Sequence, residues 1–236
     1  MTPLASLARS VLSPIPEVSR LSSLRRCTSL FSQSQVADSL YLIEDGLVKL
    51  TRTNGSPSRI ILGIFGPGDV VGEEVLGGGE TPVYYADAET LTAAVVMRVP
   101  HQTLVHTLAA QQDFSAALTS AIIQQKIMLA EKVELLCLHD VEYRILHYLA
   151  QLSSLVKPLA DGEGYQLPIT QLELADLIGA TRETTSTTLN QLERRGLVRL
   201  SRRLLTIPSP GVLRNAALAR TNHHQPEAAA TAVASA

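Results

Sequence analysis

The 236-residue sequence predicts an α+β chain: an N-terminal antiparallel β-roll, one long helix, and a C-terminal pair of short helices closed by a hairpin. Three observations predict it. Residues 30–100 are short apolar runs broken by Gly, Pro, Asn and Asp turns, the pattern of a small all-β unit. Residues 113–138 hold neither Gly nor Pro and repeat apolar side chains at spacings of four and three. Residues 168–207 read as helix, glycine turn, helix and hairpin. The expected divisions are an arm at 1–25, a roll at 26–110, a long helix at 111–138, a winged helix-turn-helix at 139–212 and a disordered tail at 213–236.

Composition bounds the chemistry. The hydrophobic fraction of 45% is ample for a core, but aromatics are 4% and Trp is absent, so that core is Leu, Val, Ile and Ala. The net charge of -2 says nothing about nucleic acid, whereas its distribution does: Arg194 to Arg220 contains seven Arg and no Asp or Glu. A phosphate backbone responds to local basic excess, not to the overall balance. Cys27 and Cys137 are too few for a disulfide framework or a four-cysteine metal site within one chain, and they fit a reducing cytoplasm. No run approaches the roughly 18 apolar residues of a membrane span. Met1–Arg26 lacks a signal-type apolar stretch and reads as an irregular arm leading into a short helix.

In the roll, Leu40–Ile43 and Leu47–Leu50 flank Glu44-Asp45-Gly46, a hairpin signal. Asn54-Gly55 is a second turn and Gly66-Pro67-Gly68-Asp69 a third. Strands are expected near Val83–Ala88 and Leu91–Pro100, then a short helix at His101–Ala110. On the long helix, Leu118, Ile122, Gln125, Leu129, Lys132 and Leu136 step as a coiled-coil seam, which points to a homodimer. A second stripe, Phe114, Ala121, Met128 and Leu135, is left to pack on the roll.

Asp140 reads as a hinge and cap for an amphipathic helix over Val141–Val156. Thr170 caps the next helix, with Glu173 completing a capping box, and Gly179 ends it. Thr181 caps the following helix, whose inner face is Leu189 and Leu192. Its outer face is Arg182, Glu183, Ser186, Thr187 and Asn190, short or hydrogen-bonding side chains suited to a major groove. Leu197–Leu200 and Leu204–Ile207 form a wing around Ser201-Arg202-Arg203.

This order of parts resembles the Crp/Fnr family of bacterial transcription regulators over roughly residues 25–212. The motifs that carry the resemblance are Ile178-Gly-Ala-Thr-Arg-Glu-Thr184, Gly66-Pro-Gly-Asp69 running to Gly72-Glu73, and Ala130-Glu-Lys-Val133 running to Asp140–Ile145. The resemblance implies that Arg182 and Glu183 read base edges, with Ser186 and Thr187 beside them. Thr170, Gln171, Thr181, Thr184, Arg202 and Arg203 would touch phosphates of a palindromic double-stranded site. Thr187 stands where the resemblance puts a third reading Arg in cAMP-binding members, so a half-site related to the TGTGA type is expected, with its exact sequence left open. RNA polymerase is the further partner such a regulator touches when it activates.

The effector side departs further. The cassette positions are Gly72, Glu73, Pro82, Val83, Leu129 and Ala130. The resemblance asks for an Arg and a Ser where Pro82-Val83 stand, and for Thr-Ser where Leu129-Ala130 stand. An anion buried without a counter-charge costs several kcal/mol, so gating by cAMP is not expected. The alternatives are another small anion such as 2-oxoglutarate, or a thiol switch, although Cys137 at the apolar end of the long helix reads first as a packed thiol. A cupin-like enzyme needs His-x-His on strands, and all six histidines lie outside the predicted strands. His101 and His106 fall on a helix, and His223-His224 lacks a third ligand. No cofactor, no metal and no enzymatic activity are expected.

Overall fold

The computed structural model describes residues 3–55, 59–77, 81–160, 164–201 and 204–223. It divides into two compact units, Met1–Cys137 and Leu138–Ala236.

The first unit is a two-sheet roll with helices on it. Strands β1 (Ser19–Leu24), β3 (Ser39–Asp45), β6 (Val70–Val71) and β8 (Ala94–Pro100) form one sheet in the order β1-β8-β3-β6. Strands β2 (Ser29–Phe31), β4 (Val48–Thr53), β5 (Arg59–Phe65) and β7 (Asp87–Thr90) form the other in the order β2-β7-β4-β5. All pairings are antiparallel. Buried residues of both sheets, such as Leu40, Leu42, Val48, Met97 and Val99, belong to one core cluster.

Several sequence expectations change here. The arm at 1–25 is helix α1 (Pro3–Leu12) followed by β1. Leu4, Ala8 and Leu12 recur every fourth residue and are buried in the roll's core. Arg9 and Arg20 both reach the Glu44 carboxylate, at 3.3 and 2.5 Å, fastening this N-terminal segment to the end of β3. The sheet therefore starts before residue 26, because β1 pairs with β8.

Leu40–Ile43 and Leu47–Leu50 do not make a hairpin either. β3 pairs with β6 and β8, whereas β4 pairs with β5 and β7, so Glu44-Asp45-Gly46 carries the chain from one sheet to the other. Gly46 has φ 81° there, and a Cβ would lie 2.2 Å from the Ala93 carbonyl oxygen. The Asn54-Gly55 turn does join a true hairpin, β4 with β5. Val83 forms only an isolated bridge with Val36, and the strand expected from Val83 begins at Asp87.

Helix α2 (His101–Ala110) precedes helix α3 (Gln112–Leu138). The first halves of both apolar stripes of α3 turn toward the roll. Phe114 and Leu118 are buried in its core, with Ala121 and Ile122 packed against them. Gln125 Nε2 donates to the Val70 carbonyl at 2.6 Å, and the buried Lys132 Nζ donates to the Ile61 carbonyl at 2.8 Å. The seam read from Leu118, Ile122 and Gln125 is thus an intramolecular face. Leu129 is exposed and Leu136 half-buried. The polar members Gln125 and Lys132 reach backbone carbonyls at strand level. The apolar residues that do face outward are Ile123, Ile127, Leu129 and Val133. Cys137, expected to be packed, is exposed, as is Cys27.

The second unit is built on α4 (Val141–Ser153), α5 (Gln171–Ile178), α6 (Arg182–Arg194) and α7 (Pro210–His223), with a sheet β10-β11-β9. Its strands are β9 (Tyr165–Leu167), β10 (Arg199–Leu200) and β11 (Leu205–Ile207). Asp140 caps α4 by accepting from Tyr143 N. Ile145, Leu146, Leu149 and Leu152 are buried. Residues 213–223, expected to be disordered, belong to α7, whose Leu213 and Ala217 are buried. The rest of that tail, with His224, lies outside the described residues, as does the side chain of His223. No helix among the described residues is long and apolar enough to cross a membrane.

Candidate nucleic-acid interface and effector cassette

The interface starts from two local signals that position α5 and α6. Thr170 Oγ1 accepts from Glu173 N at 3.1 Å while Glu173 Oε2 accepts from Thr170 N at 2.9 Å, a complete capping box. Gly179 takes φ 63°, the left-handed conformation that ends α5 cheaply. Two residues later Thr181 Oγ1 accepts from Thr184 N at 3.2 Å and starts α6. The turn between the helices is therefore three residues long, Gly179 to Thr181.

Leu189, Leu192 and Thr185 bury one side of α6. Three polar ties then fix its place. Arg144 Nη1 donates to the Ile178 carbonyl at the end of α5, at 2.6 Å. Arg195 pairs with Glu142 of α4 at 2.6 Å. Leu200 N donates to Glu193 Oε1 at 2.7 Å, joining the end of α6 to β10. The wing turns at Ser201, whose N and Oγ both donate to the Leu204 carbonyl, at 3.0 and 2.9 Å. Opposite, Gly164 at φ 118° lies against β11, where a Cβ would sit 2.1 Å from the Ile207 carbonyl oxygen.

The structure brings three of the expected contact residues together. Thr170, Gln171 and Arg182 line a single groove with Ser201 and Leu204 of the wing. Arg182, Glu183 and Thr187 are exposed on α6, with Ser186 half-buried between them. Thr181 and Thr184 bond to each other's hydroxyls at 2.9 Å at the helix start. Arg202 and Arg203 lie outside the described residues. Leu172, which sequence reasoning placed only on an apolar side, is exposed beside Gln171 in the groove.

The cassette in the first unit is a second site. Gly72 takes φ 87° and opens a 3-10 turn over Glu73–Leu76. Gly66 N donates to Asp69 Oδ2 at 2.8 Å, closing the preceding turn, and burial pushes the Asp69 carboxyl upward. Burial also raises the Glu73 carboxyl, with the neighbouring Glu74 charge adding to it. One carboxylate oxygen of each, Glu73 Oε2 and Glu74 Oε2, is buried with no hydrogen-bond partner among the described residues. Pro82 and Val83 are tied to the chain opposite: Ala37 N donates to the Pro82 carbonyl at 2.8 Å, and Val83 bridges Val36.

Tyr84, missed by the sequence reading, fills the interior behind the cassette. It is 1% exposed, stacks on Phe31 at 3.8 Å between centroids, and its hydroxyl donates to the Ser39 carbonyl at 2.8 Å. Arg52 is a further missed residue. Its guanidinium lies 3.8 Å over the Tyr85 ring and donates to the Tyr85 carbonyl. No sequence spacing links Arg52 to Tyr85; the pairing of β4 with β7 brings them together. Leu129 and Ala130 are exposed on α3.

Known proteins show the same two parts. A family model for the Crp-like helix-turn-helix domain matches residues 143–216, and one for the cyclic nucleotide-binding domain matches residues 21–111. The chain belongs to the Crp/Fnr family of transcription regulators. The cyclic AMP receptor protein of Thermus thermophilus is 29% identical over 72% of this chain and 76% of its own length. The global nitrogen regulator of Synechocystis is 24% identical over 89% of this chain and 94% of its own length. A solved CRP-family transcriptional regulator, also from Thermus thermophilus, has the same fold, with a TM-score of 0.71 and 24% identity, covering 84% of this chain and 96% of that one. The matches are to transcription regulators, not to enzymes, so this Crp/Fnr chain is a regulator with a helix-turn-helix DNA-binding domain.

Proposed function

We propose that the chain acts as a homodimer whose two α6 helices enter successive major grooves of a palindromic duplex, about 34 Å apart, and that cAMP does not gate it. Arg182 offers a paired donor to guanine and Glu183 accepts from a cytosine amino group. Thr170, Gln171, Thr181 and Thr184 hold phosphates around them. The observation that carries the reading is the exposed polar face of α6, whose first residue, Arg182, lines one groove with the capped start of α5 and the wing. The dimer forms through the outward apolar residues Ile123, Ile127, Leu129 and Val133 of α3.

The cassette supports the second half of the proposal. The positions for the phosphate-pairing side chains are Pro82 and Val83. The acids Glu73 and Glu74 of the same cassette each bury an oxygen with no hydrogen-bond partner among the described residues. The cation Arg52 is already held by the ring and carbonyl of Tyr85. Among the described residues these surroundings offer a cyclic phosphate no free counter-charge. Fluorescence anisotropy on the cognate duplex tests this: affinity without nucleotide and unchanged at saturating cAMP is expected. A cAMP-dependent gain in affinity contradicts it.

The exposure of Cys137 favours a second reading, a thiol switch. DNA binding that responds to oxidant in the natural chain and not in Cys137→Ser supports that reading; equal binding in both excludes it.

A further inference from the structure

Two groups stand out among the uncharged and acidic side chains in the first nine residues of α6. Thr184, Thr185 and Thr188 are committed to the helix itself. Thr184 Oγ1 pairs with Thr181 Oγ1, Thr185 Oγ1 donates to the Thr181 carbonyl at 2.9 Å, and Thr188 Oγ1 donates to the Thr184 carbonyl at 2.9 Å. Glu183, Ser186, Thr187 and Asn190 have no hydrogen-bond partner among the described residues. These four stand at i, i+3, i+4 and i+7, one face of a helix over two turns. Homeodomain recognition helices read bases from four positions with that same spacing.

Resting on the DNA-binding reading above, we propose that Asn190 is a further base-reading residue and that it selects adenine. Its amide is exposed and carries both groups that adenine requires, an oxygen to accept from N6 and an N–H to donate to N7. Seven residues at about 1.5 Å each place it roughly 10 Å along the groove from Glu183. That distance is about three base pairs at 3.4 Å per step. Thr187 lies between the two and presents a methyl group to the intervening pairs. The reading face is thus longer than the Arg182–Glu183 pair alone, with its selectivity extended by an amide two turns in.

The test is selection of bound sites from a randomised duplex library by the full chain, as wild type, Glu183→Ala, Asn190→Ala and Asn190→Asp. Wild type is expected to enrich adenine about three base pairs from the position that Glu183→Ala relaxes. Asn190→Ala should lose preference at that adenine alone, weakening the selected site roughly tenfold with an unchanged salt slope. Asn190→Asp should shift the preference there to cytosine, because a carboxylate accepts from its amino group. Profiles unchanged by both Asn190 substitutions overturn the proposal. So does a uniform loss across all sequences with a shallower salt slope, which marks a phosphate contact. A wild-type chain that enriches no sequence overturns the DNA-reading proposal and this one with it.

Discussion

The Lys132 ammonium of α3 donates to the Ile61 carbonyl of β5 at 2.8 Å, and Lys132 is 4% exposed. A buried ammonium persists only where its hydrogen bonds replace those of water. Lys132→Met keeps the apolar stem and removes the charge, leaving the Ile61 carbonyl without that donor. The expected loss is about 1.5–3 kcal/mol, the range for a hydrogen bond to a charged group. Urea unfolding of the full chain measures it, and an unchanged midpoint would show that the bond adds nothing.

The capping box at Thr170 has a comparable, separable effect. Thr170→Ala should cost about 1 kcal/mol of stability, the usual loss for an N-cap. Glu173 is 6% exposed; it keeps the hydrogen bond from the residue-170 N–H but loses the one from the Thr170 hydroxyl, which moves the cost toward the upper end. Hydrogen exchange locates the effect: faster exchange of the first α5 amides is expected. Exchange unchanged in α5 would mean the cap does not hold the helix start.

Burial raises the Glu73 carboxyl above its ordinary 4.5, so the native state holds a proton that the unfolded chain gives up. Its stabilising effect is complete below that ordinary value and is lost as pH rises through the raised one. Asp69 acts in the same direction. Asp38 acts oppositely: burial works to raise it, but hydrogen bonds from Ser39 and Arg98 outweigh burial and hold it below 3.8. Glu73→Gln should therefore raise stability at neutral pH and flatten the decline that sets in above pH 4.5. A variant less stable than wild type at neutral pH would show that the Glu73 charge is stabilising.

Ile127 is 45% exposed on the side of α3 away from the roll. If the outward apolar residues form the dimer, Ile127→Glu places like charges across the seam and should yield monomers in sedimentation velocity. DNA affinity should fall with it, because a single half-site loses the second set of contacts. A dimer of unchanged strength would move the interface elsewhere.

What could be read from the sequence follows the range of the interactions. The Thr170–Glu173 box, the Gly179 stop and the Thr181 cap were legible because each depends on residues three or four apart. Sheet partners were not. Nothing local to Leu40–Leu50 reveals that β3 and β4 lie in different sheets, since that depends on β8 and β5 many residues away. The faces of α3 show the same limit from another side. Periodicity located a stripe through Leu118 and Gln125 but could not say whether a roll or a twin helix covers it. The α1 stripe of Leu4, Ala8 and Leu12 was hidden because it is short and lies among serines and prolines. In the cassette, Pro82 and Val83 were expected at the phosphate-pairing positions from the resemblance alone. Tyr84 filling the space behind them and Arg52 capping Tyr85 emerged only from the fold.

The central claim is that α6 reads a palindrome as one of a symmetric pair. Fluorescence anisotropy of the full chain on its selected duplex and on duplexes with one or both half-sites scrambled tests it most directly, with Arg182→Ala alongside. The expected result is strong loss when either half is scrambled, and a loss of roughly 1–3 kcal/mol for Arg182→Ala on the selected site only. Equal affinity for selected and scrambled duplexes, or an equal loss for Arg182→Ala on both, would contradict it.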